Sequence, residues 1–147
     1  MSQSDIDAAL IQAYADGDFG LPTAYENREF EPALGQPWAA LYLIHNAPEV
    51  ATLGPSGQDM ISGIMQITLH YPLNTGAGAA RAKADAIRAI FKAGNAISHN
   101  GQSVVIMAAA RSLSEGVTQG STAGRVSTGW FSTFVTIEWY AHLNRGL

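Results

Sequence analysis

Two segments of the chain have apolar residues at the three- and four-residue spacing of an amphipathic helix. The first covers residues 4–16, where Ser4 is a suitable N-cap and Gly17 follows the last turn. The second covers residues 78–92 and is followed by Gly94, a residue type common just after helices. The apolar stripes are Ile6, Leu10 and Tyr14 in the first helix, and Ala80, Ala84, Ile87 and Phe91 in the second. Each stripe predicts one helix face packed against a core.

Four other segments have the composition or the alternation of β-strands. They are residues 37–45, 61–71, 102–110 and 130–143. The second alternates most regularly, with Met65, Ile67, Leu69 and Tyr71 on one face. In the last, the inward residues are predicted to be Phe131, Val135, Ile137, Trp139 and Ala141. The connecting segments 46–60 and 112–129 are rich in glycine and hydroxyl residues, so we expect mobile loops there.

The order helix, strand, strand, helix, strand, strand predicts a single α+β domain spanning residues 1–147. We expect a mostly antiparallel or mixed sheet with both helices packed on one face. Two helices cannot cover both faces, and Trp130, Phe134 and Tyr140 lie on the second face, so we predict a subunit interface there. The alternative is that a loop of the same chain covers this face. Glu115 and Arg125, in the second predicted loop, are possible partner contacts.

Composition narrows the classes of function. Charged residues make up 14% of the chain, against a typical value of about 25%, and the net charge is −4 without a basic block. A dedicated nucleic-acid-binding protein is therefore not expected. The absence of cysteine excludes disulfides and cysteine-ligated metal sites. The polar N-terminus and the short apolar runs predict neither a signal peptide nor a membrane span, so we expect a soluble protein made in a reducing cytoplasm.

No catalytic, cofactor-binding or metal-binding residues are predicted. Gly76 and Gly78 precede a helix, as in a dinucleotide fingerprint, but Arg81 replaces the third glycine and no carboxylate follows at the ribose position. A glycine turn into a helix is the simpler interpretation, although a small enzyme or ligand-binding domain using this turn remains an alternative. The four histidines (His45, His70, His99 and His142) lack metal-ligand spacing. We interpret the basic stripe of Arg81, Arg88 and Lys92 as a solvated helix face, with a salt bridge to an acidic partner surface and a contact with DNA as the alternatives.

Several short motifs occur in the order seen in one known family. Residues 26–32 match the Glu-Asn-x-x-Phe-x-Pro motif that opens phage tail-terminator-like proteins, and a Gly-Gln-Pro-Trp sequence at 35–38 then leads into a strand. A strand beginning at Gly63 and ending at Pro72 follows, and then a glycine-rich turn and an alanine-rich helix up to Phe91. The chain therefore resembles the bacteriophage tail terminator family over residues 25–91. The match is loose beyond Gly101, and it does not explain the length of the segment 112–129.

This resemblance implies a two-layer subunit of a hexameric ring in a lambda-type long-tailed phage. Such a ring caps the tail tube, stops its polymerisation and joins the tail to the head–tail connector. The implied partners are other copies of the chain, the tail tube protein and the connector protein, while DNA passes through the lumen without specific binding. The implied location is the head-proximal end of the tail, after assembly in the host cytoplasm. A neck or connector protein of the same particle remains an alternative.

Overall fold

The computed structural model describes residues 2–26, 29–31, 35–72, 78–111, 116–118 and 130–145, with the backbone alone at 110–111 and 116–118. The predicted partner-contact residues Glu115 and Arg125, and Gly76 of the glycine turn, lie outside the described residues. In chain order the elements are α1 (Gln3–Asp16), β1 (Thr23–Ala24), β2 (Trp38–His45), β3 (Glu49–Val50), β4 (Gln58–Pro72), α2 (Gly78–Ile90), β5 (Ala96–His99), β6 (Gln102–Arg111), β7 (Gly116–Thr118) and β8 (Trp130–Asn144).

The strands form one sheet around a central pair. Their order is β1-β2-β4-β8-β6-β5, with β3 also paired to β4 and β7 also paired to β8. The strands β4 and β8 each contain 15 residues and pair antiparallel from Gln58↔Asn144 to Pro72↔Trp130. Every other pairing is antiparallel except that of β1 with β2, which is parallel. The predicted α+β class with a mostly antiparallel, mixed sheet is confirmed.

Both predicted helices are present, with small changes at their ends. Ser2, and not Ser4, caps α1: its backbone is extended, and its hydroxyl oxygen accepts a hydrogen bond from the Asp5 amide at 3.2 Å. The cap is at Ser2 because Ser4 already lies within the first turn. Helix α2 ends at Ile90, two residues earlier than predicted, and the Asn95 side chain donates to the Ile90 carbonyl oxygen at 3.1 Å. That bond satisfies a carbonyl that the end of the helix leaves without an intrahelical partner.

The core consists of the residues that the alternation and the helical spacing predict. Both helix stripes belong to one buried cluster with Met65, Ile67 and Leu69 of β4. Strand β8 contributes Val135, Ile137, Trp139 and Ala141 to the same cluster, and Phe131 packs against it while partly buried. Trp139 is the largest of the fully buried side chains. The inward faces predicted for β4 and β8 are therefore the faces that pack on the core.

The structure corrects the predicted connections. Strand β4 begins at Gln58, and β3 pairs with Asp59 and Met60 near its start. The segment 46–60 is therefore not a loop throughout. Strand β7 lies within the predicted loop 112–129, most of which is outside the described residues. Strands β1 and β5 were not predicted either. Strands of two to four residues are too short for a two-residue periodicity to be seen, because their formation depends on a neighbouring backbone. Loop mobility stays a prediction.

Arg145, directly after β8, holds the segment between β3 and β4. Its guanidinium donates to the carbonyl oxygens of Thr52, Gly54 and Gln58, and it forms an ion pair with Asp59 at 2.5 Å. Its backbone amide donates to the Gly57 carbonyl oxygen at 2.9 Å. The carbonyl oxygens of Gly54 and Gln58 also accept backbone amides, so Arg145 adds charge-assisted hydrogen bonds to a turn that the backbone already holds together.

Gly63 lies in the middle of β4, where the chain has no room for a side chain. A Cβ atom there would lie 2.8 Å from the Trp139 ring, and closer still to the Ile44 carbonyl oxygen. Neither neighbour is free to move, since Trp139 is fully buried and Ile44 is paired in β2. Glycine is therefore required at position 63, because any side chain there would collide with both neighbouring strands. This is the glycine at the start of the strand in the family motif.

We expect Gly63→Ala to lower the free energy of unfolding by about 1–3 kcal/mol, the usual cost of overpacking a core. Gly78→Ala is the matched control, because a Cβ atom there meets nothing within 4 Å. In a helix that change should be neutral or stabilise by up to about 1 kcal/mol. Urea unfolding followed by circular dichroism measures both. Equal unfolding midpoints for the two variants would contradict the packing argument.

Candidate functional site

The second face of the sheet carries the residues that alternate with those of the core. The strand register places them in rows that cross β2, β4 and β8. The rows are Ile44–Ile64–Glu138, Tyr42–Gln66–Thr136, Ala40–Thr68–Phe134 and Trp38–His70–Ser132. Glu138 is the only carboxylate in these four rows, and no lysine or arginine occurs in them. We refer to this surface as the second face.

The three predicted interface residues all lie on the second face. Phe134 is paired with Thr68, Trp130 with Pro72, and Tyr140 lies between Ser62 of β4 and Val105 of β6. Each is half-buried in the single chain. Their common face follows from the alternation along β8. Their role as an interface stays a prediction.

The most exposed apolar residues near this surface were not singled out from the sequence. Tyr42 is 50% exposed, Ile44 is 49% exposed, and Met107, at the irregularity between Ile106 and Ala108 of β6, is 46% exposed. The sequence did contain a signal for Tyr42 and Ile44, because a strand that is apolar on both faces, as residues 37–45 are, leaves one apolar face away from the core. Only the sheet order shows that Tyr42 and Ile44 lie on the same face as Phe134.

Aromatic residues of the chain itself cover one end of the second face. The Trp38 ring stacks on the His70 ring, with their centroids 4.1 Å apart. Phe30 lies 5.2 Å from Trp38, and Trp130 meets Trp38 edge-on at 6.1 Å. Trp130 is thus engaged within the subunit, which leaves Phe134, Tyr140 and Tyr42 as the aromatic residues most accessible to a partner.

His70 has an unusual environment in this cluster. Burial lowers its pKa below the ordinary value of 6.5, because the charged imidazolium loses hydration there. Its Nδ1 atom lies 2.8 Å from the Ser132 hydroxyl, a side chain that is 2% exposed. A serine beside a histidine is one part of a hydrolytic site, but a nucleophile must be reached by its substrate. The buried position of Ser132 makes this contact a packing interaction.

The other candidate positions are dispersed. His45 lies 2.6 Å from Asp7, whereas His142 is exposed on β8 and forms an edge contact with Tyr140.

Across the described part of the chain, no three His, Asp or Glu side chains are grouped as a metal site would need. Among the same residues, no helix has the length and apolar character needed to cross a membrane. Gly78 is the first residue of α2.

The basic stripe of α2 is tied to the subunit in part. Arg88 donates from its Nε atom to the Ala109 carbonyl oxygen at 2.9 Å and lies 3.6 Å from Asp85. Arg81 and Lys92 are exposed. Asp85 and Arg88 have the i, i+3 spacing at which side chains on one helix face meet. One of the three cations is therefore partly neutralised and held against β6.

Comparisons with known proteins identify the family. The family model for the phage tail terminator protein matches residues 5–139, nearly the whole chain. The chain belongs to the phage tail terminator protein family. The resemblance seen in the sequence is thus confirmed, and this family member is a structural protein of the phage tail whose location is the virion. A search of curated protein sequences gave no match.

Solved structures agree with this terminator-family fold. Eleven chains match it, and one of them superposes with a TM-score of 0.67, covering 96% of both chains at 19% sequence identity. At that identity the likeness shows that the arrangement of helices and strands is shared.

The buried His70 predicts a pH dependence of stability. Because its pKa is lower in the folded state, the unfolded chain binds more protons once the pH falls below about 6.5. The contribution of His70 to stability is therefore complete above that pH and is lost as the pH falls. Urea midpoints at about pH 7.5 and about pH 5.5 should differ less in His70→Gln than in the wild type. His142→Gln, at an exposed position, should keep the wild-type difference; an equal difference in all three proteins would refute the assignment.

Proposed function

We propose that this chain is the ring-forming subunit that caps the tail tube of a long-tailed phage. In this proposal a hexameric ring stops tube polymerisation at the head-proximal end and joins the tail to the head–tail connector. Membership of the terminator family is the observation that carries the proposal. The tube protein and the connector protein are then the two heterologous partners, and assembly takes place in the host cytoplasm.

The second face supports self-association. The proposal includes both helices on one face of the sheet, since their stripes share one buried cluster with alternate residues of β4 and β8. The opposite face then has no helix over it and carries Phe134, Tyr140, Tyr42 and Ile44 with few charges. Interface cores are depleted in charged residues and enriched in aromatic ones, so this surface has the composition of a subunit contact.

The charge distribution supports a lumen through which DNA passes without specific binding. The net charge is −4, and the one dense basic stripe contains Asp85. Affinity for duplex DNA rises with the number of phosphates neutralised, and tight binding would oppose passage through a ring. Arg88 already has two partners within the subunit, Asp85 and the Ala109 carbonyl oxygen. It is therefore less available to a DNA phosphate, which favours a stripe that faces solvent.

Phe134→Glu should leave the subunit folded and prevent the ring, because an unpaired carboxylate would be buried at the contact. Association should weaken by at least about 30-fold, the effect of losing one strong interface residue. Sedimentation velocity combined with electron microscopy of the purified protein measures the assembly. Tyr42→Glu, at a more exposed position of the same face, provides a second variant with less risk to folding.

Ala89→Glu is the matched control for these variants. It introduces the same charge at an exposed position of α2, away from the second face. The control should assemble as the wild type does. Wild-type rings from folded Phe134→Glu and Tyr42→Glu would show that the second face is not the contact. Binding of the purified protein to tubes, compared with connectors, would separate a terminator from a neck protein.

The double variant Arg81→Gln with Arg88→Gln tests the role of the basic stripe. If the stripe is solvated, retention on duplex DNA at moderate salt should equal that of the wild type, and the unfolding midpoint should change little. A filter-binding series over several salt concentrations measures the first quantity. A clear loss of DNA retention in the variant would instead make the stripe a DNA contact.

A further inference from the structure

A cleft with a volume of about 520 Å³ lies between α1 and the C-terminal half of β2. Ile11, Leu41 and Leu43 form its apolar walls, and Asp7 and Glu26 contribute carboxylates. Leu41 is part of the hydrophobic core, so the cleft opens on the core side of β2 and not on the second face. The proposed ring contact therefore does not use it.

Residues 41–45 form an open edge of the sheet within the described ranges. Strand β1 pairs with β2 only at Ala39 and Ala40. The Ala39 amide donates to Pro22 and the Leu43 amide donates to the Glu26 carboxylate, so both point away from β4. Because backbone groups alternate along an antiparallel strand, the amides of Leu41 and His45 point the same way. An edge with outward donors can accept another extended segment.

Glu26 takes the place that a carbonyl oxygen of a further strand would occupy. Its carboxylate accepts from the Leu43 amide while its side chain remains exposed. A single exposed hydrogen bond has a small net free energy and is readily exchanged for another acceptor. Of the ion pairs that the described residues form, none involves Glu26, whereas Asp7 is paired with His45 at 2.6 Å. The cleft therefore combines apolar walls, an open backbone edge and one carboxylate without a cation.

We propose that this cleft binds an extended segment of a partner chain that carries a lysine or arginine between apolar residues. The segment adds to the edge of β2, and one of its carbonyl oxygens replaces the Glu26 carboxylate at the Leu43 amide. The released carboxylate then pairs with the basic side chain, while the apolar side chains pack on Ile11 and Leu43. Backbone hydrogen bonds supply the affinity and the carboxylate supplies the preference for a basic residue. This surface goes beyond the proposed ring and does not depend on it.

Two capped, fluorescently labelled pentapeptides test the proposal with the full chain. One alternates valine with lysine, and the other alternates valine with glutamate. Fluorescence polarisation should show saturable binding of the lysine peptide and weaker binding of the glutamate peptide. Hydrogen exchange followed by mass spectrometry should show slower exchange in residues 41–45 when the lysine peptide is bound. Equal affinity for the two peptides, absence of lysine-peptide binding, or unchanged exchange at 41–45 would overturn the proposal.

Matched variants locate the binding. Glu26→Gln keeps an acceptor for the Leu43 amide and removes the charge, so affinity for the lysine peptide should fall by about fivefold, the effect of one exposed ion pair. Glu138→Gln removes an exposed carboxylate from the second face and should change nothing. Leu43→Lys should abolish binding of the lysine peptide. Phe134→Glu should bind it as the wild type does, so a failure of the ring proposal and a failure of this one are distinguishable.

Discussion

The antiparallel pairing of β4 with β8 is the interaction on which the rest of the structure depends. These strands are paired over 15 residues each, and every other strand is attached directly or indirectly to one of them. A continuous ladder satisfies the backbone of both strands and fixes which side chains share a face. A shift of one residue would exchange Val135, Ile137 and Trp139 with the residues of the second face. The core and the proposed interface are thus set by one register.

That register gives the two faces different surroundings. On one face, the large side chains of β4 and β8 are fully buried and belong to the same core cluster as the apolar stripes of both helices. On the other, Tyr42 and Ile44 are exposed and Phe134 and Tyr140 are half-buried, whereas the smaller residues Ala40, Thr68 and Ser132 are buried. A chain with few charges and an apolar face of this kind gains stability when a partner removes the face from water. This is the physical link between the fold and the proposed ring.

The edges of the sheet are closed by side chains and short strands. At the end of β8, Arg145 satisfies carbonyl groups of the segment before β4, and Gly57 leaves it the space that it occupies. At β2, strand β1 pairs with only two residues, and beyond them the Glu26 carboxylate accepts a hydrogen bond from one amide, that of Leu43. The first closure uses several charge-assisted bonds and the second uses one. Of these two closures, the one at β2 is therefore the easier for an added strand to displace.

The sequence by itself determined the long elements and the absence of recognisable catalytic motifs. The helical stripes and the alternation at Met65, Ile67 and Leu69 predict both helices and the buried faces, because burial repeats with the period of the backbone. The common face of Trp130, Phe134 and Tyr140 follows from the same rule. The family was also recognisable from short motifs between residues 25 and 91.

Only the tertiary structure decided the sheet order, the short strands, and the neighbours of each face. Tyr42 joins Phe134 on one surface because β4 lies between their strands, a relation between segments far apart in sequence. The stacking of His70 on Trp38 and the closure of β2 by Glu26 have the same origin. Local periodicity specifies which face of a strand is apolar, whereas long-range hydrogen bonding decides which strand lies beside it.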